Sequence, residues 1–211
     1  KTILIIILIG FLGNFLPFFL ISWSEQYIQS NTTGLLMSVG PIFALILSHY
    51  MTKDDKFSYK KLFSIIVGLI GVMFIIGSDS FKGIFSNNYF LLIPKLTIIL
   101  AVLGYVISSI FAYNLKNINI ITLTTFVTIS AAIISIPFML VVEFHNHSEP
   151  SLNSFFALIY LGLFPTAIAF LIRFYIISKA GPTYLSYVSY LIPGFAILWG
   201  FVFLGENISL E

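Results

Sequence analysis

SYVSYLIPGFAILWGFVFLGENISL, Ser186–Leu210, is a run of helical length that carries a proline near its middle and no charge before Glu206. GLLMSVGPIFALILSHYMTKDDKFS, Gly34–Ser58, repeats the pattern around Pro41, 152 positions before Pro193. An interior proline removes a backbone hydrogen bond and collides with the preceding turn, at about 3 kcal/mol in a water-exposed helix. A cost met twice at corresponding places points to a common setting. In a bilayer, neighbouring helices, hydroxyls or water re-satisfy the freed carbonyl. That carbonyl can face a solute or mark a bend, and a plain structural kink is the alternative.

Composition supplies the setting. The 211 residues are 59% hydrophobic and 9% charged, with a mean hydropathy of +1.05. Soluble domains carry about 25% charged residues, so this chain cannot cover its surface for water. The net charge of +2 includes no basic stripe, which argues against nucleic acid as a partner. With no cysteine there is no disulfide frame, no thiolate metal site and no thiol nucleophile.

Charge-free intervals run Thr2–Ser24, Gln26–Thr52, Leu62–Ser78, Leu96–Leu115, Asn117–Val142, Pro150–Ile172 and Ala180–Gly205. A bilayer core about 30 Å thick takes about 20 helical residues, and all seven are near that length or longer. The alternating ~10-residue segments of a membrane barrel are absent. The first run lacks a small-residue cleavage site and leads at once into another span, unlike a signal peptide. The fold expected is an all-α integral membrane protein with seven helices present. Lys53, Lys56, Lys60 and Lys61 place the second loop in the cytoplasm, and alternation puts Lys1, Lys116, Arg173 and Lys179 beside them. Only Lys82 and Lys95 fall on the opposite side.

At an offset of 152, Gly10 pairs with Gly162, Pro41 with Pro193, Phe43 with Phe195 and Ala44 with Ala196. Five spans separate the two prolines, so the copies cross the membrane in opposite senses, a plan frequent in secondary transporters. Completing both copies gives five helices each. The expectation is therefore two inverted five-helix repeats, with two helices missing at the front and one at the back. Residues 1–80 would hold the last three helices of the first repeat, and residues 81–211 the first four of the second.

SNTTGLLMSVGP (Ser30–Pro41), GLIGVMFIIG (Gly68–Gly77), GYVISSIFAYNLKN (Gly104–Asn117) and GPTYLSYVSYLIPGFAILWGFVFLGE (Gly181–Glu206) carry a resemblance that covers essentially the whole chain. The sequence resembles the drug/metabolite transporter superfamily, in its ten-helix EamA-type branch. The resemblance implies a permease for small metabolites, often amino acids, with substrates varying among members. One departure is MTKDD at Met51–Asp55, where the family usually has a Gly-Glu pair; Gly205-Glu206 keeps it.

Helical spacing selects the faces that can line a pathway. These offer Asn14 and Pro17 in the first span, Ser38 and Pro41 in the second, and Tyr105 and Ser108 in the fourth. Thr166 and Arg173 lie in the sixth, and Tyr187, Tyr190 and Pro193 in the seventh. Small residues on such stripes serve equally for close helix packing. A phenol at bilayer depth needs a partner, although tyrosine also suits the interface. An intramembrane charge is a site hypothesis by default. Arg173, however, lies six residues from Lys179, about 9 Å along a helix, which favours snorkelling to the cytoplasmic surface. Lys95 is weighed the same way toward the outer face. Should either point inward, an anionic or zwitterionic substrate follows. No Asp or Glu lies deep in any span. Glu143, His145, His147 and Glu149 share a loop, but spacing of this kind is more often plain loop polarity than a metal site, so no metal or cofactor is expected.

The reading is a multi-pass transporter of a bacterial plasma (inner) membrane. Its partners are the lipid bilayer and a small-molecule substrate, with a homodimer left open. A membrane-embedded enzyme or a non-transporting membrane partner is the alternative. An enzyme would need a buried nucleophile or acid–base cluster, which the spans do not offer.

Overall fold

The computed structural model describes residues 1–76, 89–143 and 151–199, and every regular element among them is helical. Five helical stretches of these residues are long and apolar enough to cross a membrane: Thr2–Ser24, Thr32–Met51, Leu92–Asn114, Ile120–Val141 and Leu152–Ala180. In chain order, α1 (Thr2–Gly10) passes through a π-turn at Phe11–Phe15 into α2 (Leu16–Ser24). The second crossing is built from α3 (Ser30–Met37) and α4 (Gly40–Met51), and α5 (Tyr59–Ile76) follows. The fourth and fifth are the unbroken helices α6 (Leu92–Asn114) and α7 (Ile120–Glu143). The sixth joins α8 (Leu152–Leu161), a second π segment (Gly162–Ile168) and α9 (Ala169–Ala180); α10 (Pro182–Ser186) and α11 (Val188–Trp199) are the described part of the seventh apolar run.

The centre of the bundle is α6, whose Ile98, Ala101, Val102, Val106 and Ile110 are buried. It packs against α1, α2, α3, α4, α9 and α10. One core cluster joins Ile9 of α1, Tyr113 of α6, Val127 of α7 and Phe170, Phe174 and Ile177 of α9. Small residues set the closest approaches. A Cβ on Gly104 would lie 2.8 Å from the Leu12 carbonyl oxygen, so only glycine lets α6 meet the first π-turn this closely. The outward faces stay apolar, with Phe63, Phe74, Phe126 and Ile133 exposed, and α8 has no buried residue. Such faces suit hydrocarbon as solvent.

Three features differ from the sequence expectations. The second run is not one kinked helix. It breaks after Met37, where the Ser38 hydroxyl donates to the Leu35 carbonyl at 2.6 Å, and Pro41 sits in the first turn of α4. A proline there loses no hydrogen bond, because a first-turn N–H has no intrahelical partner. Pro193 is interior to α11, and the seventh crossing breaks earlier, at Tyr187. Two of the charge-free runs also stop short of their helices. The fourth crossing begins at Leu92, ahead of Lys95, and the sixth continues through Arg173 to Ala180. Both charged side chains enter the protein, Lys95 being 8% exposed. The boundary at residues 80 and 81, the loop with His145, His147 and Glu149, and Gly205-Glu206 lie outside the described residues.

The π segments fall in register. Adding 152 to positions 11–15 gives 163–167, inside Gly162–Ile168, and the first residues of α3 and α10, Ser30 and Pro182, differ by the same 152. Pro17 follows the first π segment and Pro165 lies in the second. Neither can donate to the carbonyl four residues back, Gly13 or Leu161. The Thr166 hydroxyl donates to Leu161 at 3.0 Å. Gly13 has a more distant partner.

Candidate functional site

That partner is Arg173. From α9 its Nη1 donates to the Gly13 carbonyl at 3.3 Å. Its Nη2 faces the Tyr105 carbonyl at 3.2 Å, the Ser108 hydroxyl at 3.1 Å and the Ser109 hydroxyl at 3.0 Å. The guanidinium carbon lies 5.1 Å from the Tyr105 ring centre and 5.2 Å from that of Phe170, within cation–π range. Tyr105, Ser108 and Ser109 stand at i, i+3 and i+4 on α6 and so share one face. The snorkelling expectation for Arg173 is therefore corrected. The side chain points across the bundle to α6, because a guanidinium needs several acceptors at once and that face supplies three of them.

Beside this cluster lies a cavity of about 440 Å³. Met37 and Gly40 line it from the second crossing, Tyr105 and Ser109 from α6, Phe170 and Arg173 from α9, and Ser186 and Ser189 from the seventh. Apart from Arg173 and the hydroxyls its lining is apolar. The volume falls within the ~300–1,000 Å³ of small-ligand pockets.

The other candidates distribute unevenly. Ser108 holds Arg173 from behind the cavity, and Pro17 is buried against Gly104, with its Cγ 3.6 Å from where a Cβ there would stand. Asn14 and Thr166 meet in a second cavity of about 850 Å³, walled by Phe15, Phe18, Trp23 and Phe138. The Asn14 Oδ1 is buried there without a partner. Ser38, Pro41 and Pro193 are buried in the helix framework and line neither cavity. Tyr187 sits edge-on to Tyr184 at the seventh-crossing break, with centroids 5.9 Å apart. Tyr190 lays its ring on Gly68 of α5 and buries an unpartnered hydroxyl, also away from both cavities. Ser109, Gly13 and Phe170 are site residues the sequence reading missed. For Ser109 a signal existed in its i+4 spacing from Tyr105.

A second constellation, also missed, ties the lysine-bearing loops together. Asp55, 5% exposed, accepts the Thr183 N–H at 2.9 Å through Oδ2 and the Lys61 ammonium through Oδ1. The Asp55 N–H donates to Thr52 Oγ1 at 3.1 Å. Gly181 turns the chain there at φ 92°, a backbone conformation that favours glycine, and a Cβ on it would press on the Asp55 carboxylate. Asp54 Oδ2 accepts Lys116 Nζ at 2.6 Å and the Tyr113 hydroxyl at 3.3 Å. The bond from Lys116 holds the Asp54 carboxyl below its ordinary 3.8, and Asp54 raises Lys116 above 10.5. The residues standing where Gly-Glu was expected thus join the α4–α5 loop to the end of α6 and the start of α10.

A profile of the EamA-like transporter family matches residues 1–77 and 92–211. Among curated relatives, "Uncharacterized transporter YoaV" of Bacillus subtilis (strain 168) is 23% identical over 204 residues, covering 96% of this chain and 66% of that protein. "Uncharacterized transporter YdfC" of the same organism is 28% identical over 210 residues, covering 98% and 65%. An "Uncharacterized transporter" of Archaeoglobus fulgidus is 26% identical over 203 residues, covering 96% and 70%. The chain thus spans about two thirds of the length of these relatives. A crystal structure superposes with a TM-score of 0.78 at 18% identity, covering 95% of this chain and 69% of the other. That likeness speaks for the fold alone.

Proposed function

The chain belongs to the EamA-like transporter family, and on that footing we propose that it is a secondary transporter of a small organic metabolite. It would work in the plasma (inner) membrane by alternating access. The observation that carries this reading is the Arg173 cavity, where Met37 and Gly40 of residues 1–80 face Tyr105, Arg173 and Ser189 of residues 81–211. A solute held between two repeats changes sides when one rocks against the other. The Asp55–Thr183 contact also joins these two parts, so the rocking has to break and remake it. A membrane enzyme is the poorer reading. Ser109, Ser186 and Ser189 each donate to a backbone carbonyl, with no adjacent base among the described lining residues to activate one.

The test is uptake and efflux by the full-length protein in proteoliposomes. Pooled amino acids and small organic acids are offered with and without a pH gradient. Movement of one solute class, lost in folded Arg173→Gln, is the expected result. No movement of any solute by folded protein overturns the reading.

A further inference from the structure

The guanidinium of Arg173 is held but not neutralised. Its partners are two carbonyls and two hydroxyls, none of them charged. Of the five guanidinium N–H groups, Nη2 faces three acceptors and Nη1 one, while Nε is buried with none. The acidic residues whose side chains are described are Glu25, Asp54 and Asp55, and none of them lines the cavity. The Tyr105 carbonyl is at the same time oversupplied. It accepts from Ser108 at 3.0 Å and Ser109 at 2.7 Å as well as from Arg173. Ser109 can therefore turn its hydroxyl hydrogen toward a ligand without leaving that carbonyl unbonded.

We propose that this cavity takes a small organic anion: a carboxylate at Arg173 and Ser109, with its apolar body among Val102, Val106, Leu185 and Ile192. This rests on the transport reading for the cavity and narrows its substrate class. The same geometry disfavours a zwitterion. An ammonium group would meet only the neutral hydroxyl oxygens of Ser186 and Ser189, with no described carboxylate on the lining to balance its charge. A buried cation without a counter-charge gains most from a ligand of net negative charge.

The experiment is equilibrium binding to the purified full-length protein. Its probes are the straight-chain monocarboxylates from butyrate to octanoate, their primary amides and the matching 2-amino acids. The acids are expected to bind about tenfold or more tightly than the amides or amino acids. Arg173→Gln removes that preference, Arg173→Lys keeps part of it, and Ser109→Ala weakens the acids alone. Where Arg173→Gln fails to fold, Arg173→Lys and Ser109→Ala carry the test by the same criterion. Amides or amino acids bound as tightly as acids, no acid bound by the wild type, or acid affinity unchanged in the folded variants overturns the proposal. Flux confined to neutral or zwitterionic solutes sinks the anion alone, whereas acid binding without flux of any solute sinks transport alone.

Discussion

Arg173 shows what a linear reading of a membrane helix omits. Its distance from Lys179 was legible, but which way the side chain turned depended on Tyr105, Ser108 and Ser109, more than sixty positions earlier. Those three were visible as a face of α6 but not as a partner for a particular cation. Glycines were more readable, since the stripes of small residues at Gly10 and Gly104 are places of close packing. Gly104→Ala is expected to cost about 1–3 kcal/mol, because its Cβ must push against the Leu12 backbone. Denaturation in mixed micelles measures it. At the surface, Asp54 is held below 3.8 and Lys116 above 10.5, so the pair stabilises the fold between those limits. Its contribution falls as pH drops through the depressed Asp54 value, or rises through the elevated Lys116 value. The melting-temperature gap between wild type and Asp54→Asn should be flat from about pH 5 to 9 and close at either extreme.

At the scale of elements, hydropathy located the five described stretches long and apolar enough to cross a membrane, but was blind to how the backbone runs inside them. Pro41 and Pro193 look equivalent in sequence, yet one opens a helix and the other sits inside one. They should therefore answer oppositely to alanine. Pro41→Ala loses only the stiffness of a first-turn proline and costs about 0.4–1 kcal/mol. Pro193→Ala returns a donor for the Ser189 carbonyl and stabilises by up to about 3 kcal/mol. Unfolding of both variants in the same lipid checks the contrast, and equal shifts would contradict it. The π segments left no mark in the hydropathy, because widening a turn by one residue does not change composition. Pro17, just after the first, and Pro165, inside the second, were local hints of them.

For the molecule as a whole, the charge-bearing loops were assigned to one end by counting lysines, and Asp54, Asp55, Lys116 and Thr183 do meet at one end. The contact itself was not legible, since a loop crowded with lysines and aspartates reads as solvated rather than as a clasp. The proposed alternating access would make a direct demand on it. A cysteine pair at Asp55 and Thr183, in a chain with no native cysteine, should stop flux when oxidised and restore it on reduction. Flux that persists with the cross-link formed would mean that this end never parts.

The order of residues along the chain has a last consequence, for biogenesis. An arginine inside an inserting helix works against entry into the bilayer, by about 2.5–3.5 kcal/mol at the helix centre and less toward its ends. Arg173 lies within the sixth crossing, seven residues short of Ala180. Gly13, Tyr105, Ser108 and Ser109 all precede Arg173, so every acceptor it uses has left the ribosome before it does. The helix bearing the cation is handed to a membrane that already holds its partners. Synthesis from the amino terminus is thereby also the assembly sequence of the site.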